Sequence, residues 1–311
     1  MKVAIAGAAG RVGCCAAYAL QLAGIVSEIV LTDIMKDLVE GEALDLMHGS
    51  AMLHDQKICA ADISEAAKAD LIVITAGLRR KPDESRLDLV NRNASLFSSM
   101  VKDLKTAGLR NDTILLVVSN PVDILTYLAV QQSGLPPAQV IGLGTLLDTA
   151  RFSSLIADAV QVPPTQVRAL VLGEHGDSMV PVWSSATCAG LCLEKHPELS
   201  AAARTRIFER TRGSGAEVIR LKGGAGWAVG TCIAALVHAI ALDQRRILPV
   251  SSLQSGAYGL RDVCVSVPTM VGWSGVVKHV EWELWPRELQ ELAKSASVVQ
   301  NTIKSVKLQN P

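Results

Sequence analysis

The chain has 311 residues, 49% of them hydrophobic and 19% charged, with 30 basic groups balancing 30 acidic ones. That length exceeds one average core and implies about two domains, and the composition excludes a disordered chain. Zero net charge offers no general attraction to nucleic acid or to a membrane surface, so a small-molecule partner is expected.

The first half alternates short apolar runs with longer stretches of helical periodicity. "VAIA" (3–6), "EIVLTD" (28–33), "LIVITA" (71–76), "TILLVV" (113–118) and "QVIGLG" (139–144) are rich in Val, Ile and Leu and lack polar alternation, as strands buried on both faces do. Helical spacing over 10–24 and 87–107 places helices between them. The expected fold is α/β: a Rossmann doubly wound parallel sheet over 1–145. A mixed α+β catalytic domain is expected over 146–311. There, helices are predicted near 199–222, 226–243 and 286–307 around a strand-rich region from about 246 to 282.

The opening "MKVAIAGAAG" reads as a strand and not as a basic leader followed by an apolar signal segment. No run supplies the roughly 18 consecutive apolar residues of a spanning helix. The seven cysteines (14, 15, 59, 188, 192, 232 and 264) are odd in number and mostly apolar in setting, which suits buried thiols of a reducing compartment. A cytoplasmic protein is expected. Cys188, Cys192 and His196 recur at four-residue spacing, but no fourth ligand accompanies them, and no metal is assigned.

"GAAGRVG" follows the first strand directly and opens a helix, with glycines at 7, 10 and 13. Bare backbone at such a turn admits a pyrophosphate to the helix-start amides, which also carry the positive end of the helix dipole. The residues of this cradle are Gly7, Ala8, Ala9, Gly10, Arg11, Val12 and Gly13. Twenty residues after Gly13, Asp33 closes the second strand, where a carboxylate accepts from a ribose 2′-OH and repels a 2′-phosphate; the pattern selects NAD over NADP.

In "GEHGDS", His175 stands near Gly173 and Gly176, on a loop that leaves an imidazole of pKa about 6.5 open to a ligand. "LLDTARF" supplies Asp148 and, three residues on along one helix face, Arg151. One turn can thus offer a carboxylate to the imidazole and a guanidinium fork to a substrate carboxylate.

Taken in order along the chain, "GAAGRVG", "RRKPDESRLDLVNRN", "VSNPVD", "GLGTLLDTARF", "GEHGDSMVPVW" and "IRLKGGAGWA" resemble the lactate/malate dehydrogenase family over essentially the whole length. The resemblance implies that His175 exchanges the proton, Asp148 holds its imidazole, and Arg151 grips the substrate's C1 carboxylate. It also implies that Asn120 contacts both nicotinamide and substrate, and that Asn93 and the Val118 backbone contact the cofactor. Ala8 and Ala9 in the glycine loop resemble malate dehydrogenases while the rest resembles the lactate-type branch, so the chain is most similar to the lactate-dehydrogenase-like malate dehydrogenases; those are commonly homotetramers or homodimers, and a homo-oligomer is expected.

"LRRKPDESRLDL" (78–89) packs Arg79, Arg80, Lys81 and Arg86 close together; taken alone it reads as a solvated charged loop. It resembles the family's mobile loop, which implies that Arg86 meets the reacting carbonyl and stabilises its developing charge. Arg80 stands where lactate enzymes typically carry glutamine and malate enzymes arginine. A second carboxylate on oxaloacetate would partner Arg80, whereas pyruvate would strand the guanidinium at a cost of roughly 3–5 kcal/mol. Ala225, where lactate enzymes often place threonine, leaves more room. The expectation is an NAD-dependent malate dehydrogenase of the tricarboxylic acid cycle, taking the dicarboxylates oxaloacetate and malate. An L-lactate or other 2-hydroxyacid dehydrogenase is the alternative; an NAD-dependent glycoside hydrolase and a catalytically silent nucleotide sensor are more remote.

Overall fold

The computed structural model describes residues 1–78 and 84–306. In chain order it contains β1 (Lys2–Ala6), α1 (Arg11–Ala23), β2 (Glu28–Thr32), α2 (Lys36–Gly49), β3 (Lys57–Ala60), α3 (Ile63–Ala66), β4 (Leu71–Ile74), α4 (Arg86–Thr106), β5 (Ile114–Val117), α5 (Val122–Gln132), β6 (Val140–Gly142) and α6 (Leu146–Ala159). There follow β7 (Val167–Leu172), β8 (Val180–Cys188), β9 (Leu191–Cys192), α7 (Ala201–Lys222), α8 (Trp227–Ala241), β10 (Arg246–Ser255), β11 (Arg261–Gly272), β12 (Gly275–His279) and α9 (Pro286–Ser305).

β3-β2-β1-β4-β5-β6 is the Rossmann order, every pair in it parallel. The unbroken apolar runs follow from burial on both faces. Val3 and Ile5 of β1, Leu71 and Val73 of β4, and Ile114 and Leu116 of β5 face one core, packed with α1 and α8 residues such as Leu20, Ile233 and Val237. The intervening Ala4, Ile72, Ile74, Leu115 and Val117 face the other core, with Phe97 and Val101 of α4, Leu125 of α5 and Leu292 of α9. A period-two strand buried on both sides has no position to spare for a polar residue.

The sheet does not stop at the end of the first half. β10 joins β6 antiparallel through Ser251 and Gly142, and β11 and β12 extend the same sheet to nine strands. A second sheet, β7-β8-β9, covers a third core built on Phe152, Trp183 and Ile207. The bridge between Gly173 and Ser266 ties the loop after β7 to β11, with N–H donated to C=O in both directions at 2.8 and 2.9 Å. Gly230 of α8 lies so close to α1 that a Cβ there would meet the Cys15 carbonyl oxygen at 2.5 Å. None of the described helices is long and apolar enough to cross a membrane. The cysteines are free thiols; Cys15, Cys232 and Cys264 are buried, whereas Cys192 is exposed.

Candidate active site

Backbone sterics explain the glycine turn after β1. Gly7 has φ +91°, and a Cβ there would meet the Ala76 amide nitrogen at 2.5 Å; at Gly13 it would meet the Gly7 carbonyl oxygen at 2.4 Å. α1 therefore starts hard against the strand end. Its N-terminus has no side-chain cap and no acidic residue in the first turn, which leaves its amides and positive dipole end available to an anion. Gly10 and Arg11 are exposed, Ala8 is buried and Val12 packs on the core, so the cradle presents backbone more than side chains. Arg11 turns aside: its guanidinium donates to the carbonyls of Lys222 and Gly224 at 2.5 and 3.0 Å, tying α1 to the end of α7.

Asp33 follows β2, and both its oxygens are oriented by main chain. Oδ2 accepts from Ala9 N–H and Oδ1 from Met35 N–H, each at 3.1 Å. The carboxylate is thus held beside the glycine turn, where a ribose bound to that turn would lie. Val118, one residue past β5, donates its N–H to Ile74, and Asn120 is exposed next to a cis peptide to Pro121. Asn93 of α4 is buried with its amide occupied by the Leu78 backbone, accepting from N–H at 2.7 Å and donating to C=O at 3.3 Å. It anchors the root of the segment that follows. Arg86 opens α4, behind the N-cap Ser85. The expectations for Arg80 and for the Arg86 side chain lie outside the described residues.

The catalytic candidates converge from two elements. Asp148 lies in the first turn of α6, only 1% exposed. Its Oδ1 accepts from Arg151 Nη1 at 3.1 Å, and its Oδ2 is 2.5 Å from His175 Nδ1. With Nδ1 donating to the carboxylate, Nε2 is the ring atom left for a ligand, and the His175 side chain retains 22% exposure. Burial favours the neutral imidazole, but the Asp148 charge and hydrogen bond outweigh it, and the His175 pKa is raised. Burial likewise pushes Asp148 up, while His175 and Arg151 more than offset it and leave it lowered.

The His175 loop is held from below by groups that the sequence motifs did not single out. Glu174 N–H donates to Ser295 Oγ of α9 at 2.8 Å, and Ser178 joins Glu174 and Ser295 through its hydroxyl. His175 N–H donates to Asp123 of α5 at 2.8 Å. Asp123 closes the motif "VSNPVD" and is a carboxylate at the head of the apolar run "VDILTYLAV", but neither feature assigns it a partner. Among the described residues no cluster of three His, Cys, Asp or Glu side chains could hold a metal.

Comparison with known proteins gives the same picture from outside. Residues 1–142 match the lactate/malate dehydrogenase NAD-binding domain, and residues 145–309 the lactate/malate dehydrogenase alpha/beta C-terminal domain. An L-lactate dehydrogenase of Synechococcus sp. is 42% identical over 99% of this chain and 100% of its own length. That of Acetivibrio thermocellus is 42% identical over 98% and 97%. The crystal structure of a minor L-lactate dehydrogenase from Enterococcus mundtii, solved with ligands bound, superimposes with a TM-score of 0.94 at 37% identity, covering 99% of each chain.

These relatives overturn the expectation of a malate dehydrogenase, and with it the oxaloacetate and malate substrates and the place in the tricarboxylic acid cycle. That expectation leaned on the charge of Arg80. A long arginine stem lets its guanidinium turn out to water, so a loop cation does not oblige the substrate to carry a second carboxylate. Both domain models, the relatives and the shared structure agree on the rest: the chain belongs to the lactate/malate dehydrogenase family, built on its NAD-binding domain and its α/β C-terminal domain.

Proposed function

We propose that this protein is an NAD-dependent L-lactate dehydrogenase interconverting pyruvate and L-lactate. The observation that carries the reading is the shared Asp148 carboxylate, one oxygen on the His175 ring and the other on Arg151, in a chain whose full-length relatives are L-lactate dehydrogenases.

NADH bound with its pyrophosphate at the start of α1 and its ribose at Asp33 would supply the hydride to C2 of pyruvate. Arg151 pairs with the substrate carboxylate and so orients the keto group towards His175. The imidazolium gives its Nε2 proton to the carbonyl oxygen as that oxygen gains charge, and the neutral ring recovers a proton from solvent after release. Asp148 fixes the ring and stabilises its cationic form, as its position on Nδ1 supports. Arg86 is assigned to the carbonyl oxygen and Asn120 to the substrate hydroxyl from sequence; the Val118 backbone is assigned to the cofactor side, whereas Asn93, expected there too, is buried with its amide taken up by Leu78 and serves to hold that backbone. The chain works as a homo-oligomer; exposed Leu38, Leu44 and Met47 along α2 suit a covered surface.

The test is NADH oxidation over a panel of 2-oxo acids containing pyruvate, 2-oxobutyrate and oxaloacetate. Pyruvate is expected to give the highest kcat/KM, and preference for any other member would refute the substrate assignment. His175→Asn should keep NADH binding, read by fluorescence, and lose turnover; normal turnover would remove His175 from the mechanism.

A further inference from the structure

His175 is gripped by two carboxylates from two helices. Asp148 holds the ring, and Asp123 holds the main chain, accepting the His175 N–H through Oδ2 at 2.8 Å. Asp123 is 3% exposed, and its Oδ1 has no well-aligned hydrogen-bond partner among the described residues; the buried Ser251 hydroxyl of β10 is its polar neighbour. A neutral Asn or Ser could accept one amide without burying an ionisable group, so the hydrogen bond alone does not account for a carboxyl here.

The groups around it bear on what its charge does. Glu174 and His175 face Asp123 from the loop, and Cys264 from β11. Asp148 and Arg151 of α6 act on the same imidazole, as does Asp123 itself, whose charge favours the cationic ring. Burial pushes the Asp123 carboxyl up to about 6, opposed by the Ser251 hydroxyl and by His175, so near neutral pH it carries its charge.

We propose that Asp123 is a positioning residue for the proton transfer: it fixes the His175 main chain from beneath and, by its charge, keeps the imidazole cationic near neutral pH. Two carboxylates, not one, then set the basicity of the proton donor. This rests on the reading of His175 as the proton donor to pyruvate.

Asp123→Asn keeps an acceptor for the His175 amide and removes the charge. The His175 ring is titrated by NMR in the full-length, isotope-labelled protein, beside the pH profile of pyruvate reduction and NADH binding. The ring midpoint should fall by about one pH unit. The variant's kcat/KM should match the parent at pH 5, where Asp123 is itself neutral, and be about tenfold lower above the parent's midpoint, with NADH affinity unchanged. A ring midpoint that stays put, with activity lost equally at every pH, would reduce Asp123 to packing and overturn the proposal. If the Asn variant does not fold, Asp123→Ser, smaller and also uncharged, takes its place with the same two outcomes. The ring titration needs no substrate, so failure of pyruvate as a substrate would strike the function assignment and leave this measurement to decide Asp123.

Discussion

Replacing Asp148 by Asn tests the centre of the site with a change of one atom type. The carboxylate is buried and both its oxygens are engaged, by Arg151 at 3.1 Å and the His175 ring at 2.5 Å. An amide can offer its oxygen to only one of them. If the oxygen faces the ring, the NH2 opposes the guanidinium; if it faces Arg151, the NH2 opposes Nδ1 and the imidazolium loses its acceptor. Either way a partly buried cation loses its buried partner, at a cost of up to roughly 3–5 kcal/mol. At about 1.4 kcal/mol per decade, kcat/KM for pyruvate reduction should fall by roughly a hundred- to several thousandfold. The pH profile should move as well. The His175 pKa is raised above its ordinary value against the pull of burial, chiefly by Asp148, and pyruvate reduction needs the protonated ring, so in the variant activity should fade at lower pH. The stability of the pair has a matching window. Asp148, lowered, contributes as pH rises past its unfolded pKa near 3.9, and His175, raised, contributes until pH passes its folded pKa. The stability gap between parent and variant should therefore be widest at about pH 4–6.5 and narrow above it. Steady-state kinetics from pH 5 to 9 and denaturant melts at three pH values would measure both. A loss under tenfold with an unmoved pH midpoint would show that Asp148 does not hold the ring.

Three other outcomes are expected. Gly13→Ala places a Cβ 2.4 Å from the Gly7 carbonyl oxygen and 2.7 Å from the Ala8 Cα, backbone atoms that cannot step aside, and should cost about 1–3 kcal/mol and weaken NADH binding; an unchanged Tm would contradict that contact. Asp33→Ser combined with Ile34→Arg removes the carboxylate beside the glycine turn and supplies a cation, and should shift the NADH-to-NADPH efficiency ratio at least about tenfold towards NADPH. An unchanged ratio would mean that Asp33 does not face the ribose. Asp123 is raised from 3.8 to about 6 by burial, so its stabilising contribution is complete below pH 4 and is lost as pH rises through 6. Asp123→Asn should accordingly melt higher than the parent at pH 8, by about 3 kcal/mol of stability, and the gain should shrink by pH 5; a variant less stable at pH 8 would refute the cost assigned to this charge.

Much of the fold was legible because local pattern and burial coincide. β1, β2, β4 and β5 are short unbroken apolar runs, and each packs a core on both faces. The glycine turn and Asp33 were legible for a similar reason, since a strand, a tight turn and a helix start follow one another directly in the chain. β3 was missed: Lys57–Ala60 is a four-residue edge strand with an exposed first residue, and its sequence carries neither a long apolar run nor a clean alternation.

What the residues alone determined is which chemical groups the protein owns: a histidine near glycines on a loop, an acid and an arginine three apart on a helix, a glycine-rich strand exit. Their partners were decided by packing. Asp123 lies 52 residues before His175, and Arg11 more than 200 before the carbonyls that take its guanidinium. A single pairing of Ser251 with Gly142 carries the Rossmann sheet into the second half. Contacts of this kind depend on how whole elements dock, and docking is driven by non-directional burial of apolar surface over many residues at once. No short stretch of sequence records it, and so the histidine proposed as the proton donor stands out in "GEHGDS" while the place of Asp123 beneath it came into view only in three dimensions.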